Sequence, residues 1–534
     1  MAQKVAVCQI SELDKGTMRQ FSVSGEETGS REILVAHTED GFRAIAPKCP
    51  HAGASLVEGV MHDDRVVCPW HNACFSLRTG ELIEPPALND LTSYPAFVES
   101  DTLYVELPEA EEESVVPDLA KQDTTIEKEN RTFVIIGGGA AGCAAAQMLR
   151  QTKFTGRIVL LTTEEKPPYD RTKLSKAYLQ QDKAQDLDLL RPLSFYQRYD
   201  IDLKTAVKVT KLDANAQTIT YGNDKTIRYD ALLIATGGKV KKIPMDGAEL
   251  DNIFTLRQAQ DARAILDASK QAKKVVIVGA GFIGMEVASS LNQQGLEVTV
   301  VASNAVPFEH VLGEKVGRLM QQIHESHGVK FKLDSKVSAF VGEEKVASVE
   351  LESGESLAAD MVVVGIGVQP ATDFIEGVVL NEDDKSVPVN QYLQAAPNVY
   401  AAGDIAQFPH FITGESVRIE HWRLAMQHGR GAALNMMGED VAFKSVPFFW
   451  TGQYDVKLRY IGHAEKWDDI VIKGSLEDKS FLAFYIKDEQ VLAAAGIGRD
   501  RDIAAISELL GTPQMPDVEM LQSANIDWIE RLKG

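Results

Sequence analysis

The sequence predicts a multidomain fold, an α/β body of two similar nucleotide-binding units preceded by a small separate N-terminal domain, and three observations carry this. Four residues with metal-binding side chains, Cys49, His51, Cys68 and His71, lie in two short loops, Cys-x-His and Cys-x-x-His, separated by sixteen residues. Further on, the segments TFVIIGGGAAGCAAAQMLRQ and KKVVIVGAGFIGMEVASSLNQQG each read as a short buried strand, a glycine-rich turn and a helix. Finally, 534 residues exceed what one core usually supports, so three or four domains are expected.

The N-terminal loops come first. Each offers one thiolate and one imidazole, the donor set of a [2Fe-2S] cluster in which two histidines serve one iron and two cysteines the other. Replacing two thiolates by neutral imidazoles removes negative charge and raises the reduction potential. A Cys2His2 zinc site uses the same ligand types in a tetrahedron and is the alternative from residue types alone. The surrounding block, CPHAGASLVEGVMHDDRVVCPWHNACFSLRTGE, resembles a ferredoxin-type Rieske domain over residues 1–107. That resemblance implies a small all-β domain with Cys49, His51, Cys68 and His71 as cluster ligands. High-potential relatives carry an extra disulfide between the loops; Ala54 and Trp70 stand at those positions, implying the lower-potential, disulfide-free kind. Asn72 replaces the glycine common after the second histidine, a change that a turn accepts in Asn more readily than in most residues.

Residues 108–130, PEAEEESVVPDLAKQDTTIEKEN, are acidic, nearly without aromatic residues and carry two prolines, and read as a linker. Such a segment spans roughly 25 to 30 Å on average. It would hold the N-terminal domain near the rest of the chain at an effective concentration of about millimolar.

The two glycine motifs follow, with Gly137, Gly139 and Gly142 in the first and Gly279, Gly281 and Gly284 in the second, about 140 residues later. Glycine permits the tight turn and lets a pyrophosphate approach the helix N-terminus, where unpaired N–H groups and the helix dipole favour negative charge. Two motifs in the right context, one domain length apart, are far more specific than one. After the first, strand RIVLLTTE ends on Glu164, where an acid is expected to bind ribose hydroxyls. After the second, LEVTVVASNAVPF ends on Ala302 and Ser303, with neither the acid of an NADH site nor an arginine favouring NADPH, so the coenzyme is left open with a lean to NADH.

Residues 131–534 resemble the two-dinucleotide-binding-domain, glutathione-reductase-like flavoproteins. Within these the chain is similar to oxygenase-coupled ferredoxin reductases and apoptosis-inducing-factor-like proteins, in particular their Rieske-containing branch. The resemblance rests on LLIATGG (Leu232 to Gly238), VYAAGDIA (Val399 to Ala406), PPYDRTKLSKAYL (Pro167 to Leu179) and VPFFWTGQYDVKLRYIG near the C-terminus. It implies an FAD domain over 131–250 and 371–440, an NAD(P) domain over 251–370, and an α+β C-terminal interface domain over 441–534. It places Ala140, Thr236, Gly237, Gly367 and Gly403 at the nucleotide sites, Asp404 near the ribityl and pyrophosphate region, and the backbone of Val209 at the adenine. Arg171 is expected near the FAD pyrophosphate and Lys176 against flavin N5, paired with Glu286 as the catalytic couple; Thr172 and Lys173 replace two prolines of the family stretch. His421 and Trp422 are expected beside the flavin pyrimidine, and Trp450 over the flavin edge. The redox cysteine pair of disulfide-reducing relatives is missing from DRTKLSKAYL, and Cys143 reads as a small packing residue.

The implied activity is transfer of hydride from NADH or NADPH to FAD, with single electrons passing to the Rieske cluster and an external acceptor such as an oxygenase or cytochrome. The alternative is a redox sensor in which nicotinamide binding gives a long-lived reduced-flavin complex that controls assembly. The net charge of −22 argues against nucleic acid and anionic lipid. More than half of it is early: residues 1–131 hold 11 basic and 24 acidic side chains, a net −13. An acidic carrier could be steered to a basic partner. Neither a signal or transit peptide nor a membrane span is expected, and the three cysteines outside the ligand loops, Cys8, Cys74 and Cys143, have no regular spacing, which fits the cytoplasm. Oligomeric state is left open, with a homodimer among the options.

Overall fold

A computed structural model describes residues 3–25, 29–109, 114–119, 129–181 and 186–533. The N-terminal part is built from short antiparallel strands in three small sheets. Gln3–Gln9 pairs with Thr102–Leu107, which pairs with Ala96–Glu99; Thr17–Gly25, Gly29–Thr38, Gly41–Ile45 and Ser93–Tyr94 make a second sheet. The third, Val60–His62, Arg65–Val67, Cys74–Ser76 and Leu82–Glu84, adjoins the two ligand-bearing loops. Alternating strands with small apolar residues fill two cores, one around Val23, Ile33 and Leu103 and one around Leu56, Val66 and Phe75.

The next sheet has the parallel order Ile201–Lys204, Arg157–Leu161, Thr132–Ile136, Ala231–Ile234 and Val399–Ala401, with Gln394–Ala396 antiparallel at the edge. Its strands are continuous apolar runs because helices cover the sheet. Ile136 lies level with both Leu161 and Ile234, so three strand ends meet beside the first glycine turn. Helix Ala140–Gln151 packs against helix Trp422–Met437 so closely that a side chain on Gly429 would overlap the Ala141 carbonyl. The second parallel sheet, Ile253–Thr255, Met361–Val364, Lys274–Val278, Glu297–Val301 and Lys330–Lys332, is inserted between the strands of the first. Ile243, Met245, Ala248 and Leu250, at the end of the stretch expected in the first domain, pack on this second sheet against the core of Val276 and Val362. The C-terminal part is a five-stranded antiparallel sheet with helices Asp500–Leu509, Val518–Ser523 and Trp528–Leu532.

The segment expected to be a linker is partly ordered. Ser114–Val115 pairs with Asp90–Leu91, and Leu119 is buried against the first parallel sheet's core; 110–113 and 120–128 lie outside the described residues. The N-terminal domain itself is docked. Val60, Val67 and Cys74 share one core with Phe448, Ile461 and Ile503 of the C-terminal domain. Around it, Arg423 Nε donates to Pro85 O at 2.8 Å, Gln427 donates to Glu84 at 2.6 Å, and Arg459 Nε donates to Trp70 O at 2.9 Å. Glu508 meets His62 and Arg65, each at 3.1 Å.

Two predictions test this docking. Glu84→Arg adds a cation beside buried Arg423 and half-buried Arg430 and strands the buried Gln427 amide, and is expected to weaken the docked state by about 1 to 3 kcal/mol; small-angle scattering should show an expanded particle and limited proteolysis a separated N-terminal domain. Burial alone raises the Glu508 carboxyl, but its bond to His62 and the Arg65 charge outweigh this and hold it below the ordinary range. Its contribution is therefore present at neutral pH, where native and unfolded forms are both ionised, and is lost as pH falls through the native value. The particle should expand only below the usual carboxylate range, with Glu508→Gln removing that acid step.

Candidate functional site

The two ligand loops are built alike. Cys49 N–H donates to Ala54 O and Gly53 N–H to Cys49 O, both at 2.9 Å; Cys68 N–H donates to Ala73 O at 2.8 Å and Asn72 N–H to Cys68 O at 3.1 Å. The fourth residue after each cysteine has positive φ, 77° at Gly53 and 60° at Asn72. Among non-glycine residues Asn is one of the few that reaches this region at low cost, which is why it can stand in the second loop. Asn72 is further held by Ser507, which donates to its side-chain oxygen at 3.0 Å.

These turns set the four donors as two like pairs. His51 and His71 approach to 3.0 Å between Nδ1 atoms, and Cys49 donates to Cys68. That shared hydrogen bond holds the Cys49 thiol above its ordinary range and the Cys68 thiol below it. Burial lowers both imidazoles, His71 to about 2, so both are neutral, as metal ligation requires. Two separate pairs, one of thiols and one of imidazoles, fit a two-iron cluster.

A cavity of about 980 Å³ lies between the two parallel sheets and the C-terminal sheet. Of the expected nucleotide-site residues, Gly137, Gly139, Ala140, Glu164, Arg171, Lys176, Val209, Thr236 and Gly237 line it, as do Gly281, Gly284, Glu286, Gly367, Gly403, Asp404, His421, Trp422 and Trp450. Gly142 and Gly279 are outside its wall. A Cβ on Gly142 would overlap the Gly137 carbonyl, and Gly279 turns the chain with φ 109°. Both keep the turn tight enough for a pyrophosphate to reach the helix N-terminus.

Inside, Lys176 Nζ lies 3.0 Å from buried Glu286, which also accepts from Ser175 and, at 2.7 Å, from Thr451. Arg171 pairs with Glu164, which also accepts from Tyr169; Arg257 pairs with Asp404 at 2.8 Å. Burial lowers His421 to about 3, and its Nδ1 has no partner among the described residues. A buried polar atom left open on a cavity wall fits a site completed by a bound polar molecule. Sequence reasoning missed Arg257, Ser175 and Thr451. Ser175 stands beside Lys176 in PPYDRTKLSKAYL and Thr451 beside Trp450 in VPFFWTGQYDVKLRYIG, whereas Arg257 carries no local signal. Cys143 is buried and contacts the Tyr196 hydroxyl at 3.6 Å, away from the cavity wall. All five cysteines are free.

Trp450 joins the two sites. Its ring centroid is 4.3 Å from that of His71 and 6.0 Å from that of His51, and it also lines the cavity. The two nucleotide turns, the shared cavity and the paired Cys and His loops define a flavin reductase with a built-in Rieske domain. The chain belongs to the pyridine nucleotide-disulphide oxidoreductase family, which matches residues 131–429, with a Rieske [2Fe-2S] domain over 3–95 and a reductase C-terminal domain over 448–528. It is similar to apoptosis-inducing factor 3 of Homo sapiens, 36% identical over 95% of this chain and 84% of that protein. It is also similar to the ferredoxin–NAD(+) reductase component of the anthranilate 1,2-dioxygenase system of Burkholderia cepacia, 31% identical over 74% of this chain and 97% of that one. Among solved structures, the covalent putidaredoxin reductase–putidaredoxin complex superposes with a TM-score of 0.71, 28% identity, and coverage of 76% of this chain and 99% of that one. The chain is thus an NAD(P)H-dependent flavin oxidoreductase with FAD and Rieske-cluster cofactors.

Gly142→Ala is expected to force the first glycine turn open. The overpacking costs about 1 to 3 kcal/mol, and the purified protein should lose flavin absorbance while retaining its far-ultraviolet circular dichroism.

Proposed function

We propose that the chain passes electrons from a reduced nicotinamide, by way of FAD, to its own cluster and from there to an external one-electron acceptor such as an oxygenase or cytochrome. The observation that carries this reading is Trp450, which touches His71 and lines the cavity. When bound, FAD takes up a hydride and gives up single electrons, and the cluster carries one electron at a time.

The residues supply position and charge. The glycine turns would receive the pyrophosphates of FAD and coenzyme at helix N-termini. Lys176 offers positive charge to the wall of the cavity, and Glu286, fixed by Ser175 and Thr451, holds the ammonium in place. Cys49, His51, Cys68 and His71 would hold the cluster. Docking brings the histidine pair against the C-terminal sheet, which makes the transfer intramolecular. No helix among the described residues is long and apolar enough to cross a membrane. The acidic surface disfavours nucleic acid as a partner, and the set of free cysteines supports a reducing, cytoplasmic setting.

The test is anaerobic addition of NADH, with flavin bleaching followed optically and the cluster by electron paramagnetic resonance. The cluster signal should appear at a rate independent of protein concentration. Trp450→Ala should slow that signal by about tenfold or more, roughly 1.4 kcal/mol on the barrier, with bleaching of the flavin little changed. Bleached flavin with a silent cluster in the wild-type protein would overturn the pathway and favour the sensor reading.

A further inference from the structure

The coenzyme site lacks the usual acid at the end of its second strand, and the structure shows what stands nearby. Strand Glu297–Val301 ends beside the second glycine turn, where Gly279 N–H donates to Val301 O at 2.8 Å. Seven residues later the chain returns to the same turn. Phe308 N–H donates to Ala280 O at 3.1 Å, and its ring stacks on Phe282 with centroids 4.7 Å apart. Residues 302–308 therefore form a loop closed at both ends on the turn that receives the coenzyme pyrophosphate, the place where the adenosine ribose is read.

Within this loop Ala302 is buried and has no polar side-chain atom. The carboxylate comes from the other end. Glu309, the first residue of helix Glu309–Ser326, is half-exposed, and its Oε2 accepts from Ala305 N–H at 3.1 Å, which folds the side chain back over the loop. Beside it Asn304 Nδ2 meets His310 Nε2 at 3.0 Å. The cation on the adjoining strand, Lys332, is paired with Glu355 at 2.6 Å. The loop thus presents the Glu309 carboxylate beside the hydrogen-bonding side chains of Asn304 and His310, and Lys332 on the adjoining strand is paired with Glu355.

We propose that Glu309 takes the place of the missing strand-end acid: its carboxylate accepts from the ribose 2′-hydroxyl and repels a 2′-phosphate, making the chain selective for NADH over NADPH. A hydroxyl donates to a carboxylate in a charge-assisted bond, whereas a phosphate brings like charge to it. The discriminating group is carried by the helix after the loop. This inference rests on the family's use of a nicotinamide coenzyme and not on the route electrons take afterwards.

The test is calorimetric titration of the flavin-loaded full chain with NAD+ and NADP+, and with ADP-ribose and its 2′-phosphate, so that binding is read without turnover. The wild-type protein is expected to prefer the unphosphorylated ligand of each pair. Glu309→Gln retains an oxygen to accept from Ala305 and removes the charge, and should reduce that preference by about tenfold or more. Ser303→Asp in the Glu309→Gln background returns an acid to the exposed side of the loop and should restore it. Flavin content and melting temperature report that each variant is folded; if Glu309→Gln does not fold, Glu309→Lys is used and should favour the 2′-phosphate. A wild-type protein without preference, or a folded charge variant with an unchanged ratio, would overturn the assignment.

Discussion

The contact of His71 with Trp450 is the constraint around which the rest of the molecule is arranged. It depends on a property of strands, that neighbouring side chains point to opposite faces. In strand Phe448–Gln453, Phe448 and Trp450 face the core shared with the N-terminal domain, while Phe449 packs against His421 and Thr451 reaches Glu286. One strand therefore holds the cluster-facing tryptophan and a partner of the Lys176–Glu286 pair at adjacent positions. Moving that strand would disturb both sites together.

The docked arrangement is held by charge placed where charge is costly. Arg423 and Arg459 are almost fully buried, and each spends part of its guanidinium on a main-chain carbonyl of the N-terminal domain, Pro85 for one and Trp70 for the other. Arg430 reaches Leu82 O at 3.2 Å. A buried guanidinium is tolerated only when its donors are satisfied in fixed directions. The apolar contact of Val60 and Val67 with Phe448 and Ile461 supplies attraction without direction, and the arginines supply the direction. Interfaces of this kind lose specificity when one donor is stranded, because the desolvated group then opposes docking.

Much of the site was legible because its pieces are local. The two Cys/His loops, the glycine turns and the Lys176 stretch are each defined by residues within one turn or one loop, where backbone conformation and residue type are tightly coupled. Asn72 shows this well: a left-handed turn position can be read from a single side chain. What was not legible is what requires two distant segments to meet. Trp70 and Arg459 are 389 residues apart, and Asn72 and Ser507 are 435 apart, so neither contact leaves a periodic or spacing signal in the chain. The network around Glu286 was half visible for the same reason. Lys176 and Ser175 lie in one motif, but Thr451 enters from a strand 165 residues beyond Glu286. The packing of 243–250 carries no sequence signal either, because apolar residues such as Ile243 and Leu250 fit either neighbouring core until the sheet positions are known.

The acidic segment between the domains shows how composition and structure divide the work. From composition alone the segment is a free tether, and the closeness of the two sites would then rest on an effective concentration set by chain length. The structure anchors it at two points, by pairing Ser114–Val115 with Asp90–Leu91 and by burying Leu119 beside the first parallel sheet. Lys153 adds an ion pair to Asp118 at 2.6 Å. One anchor is on the N-terminal domain and the other on the first parallel sheet, so the stretch between them ties the two domains together over a few residues. The weak directional contacts around Trp70, Pro85 and Glu508 then need only select one orientation. In this chain the histidine pair meets Trp450 because anchoring brings the domains together and the buried arginines fix how they meet.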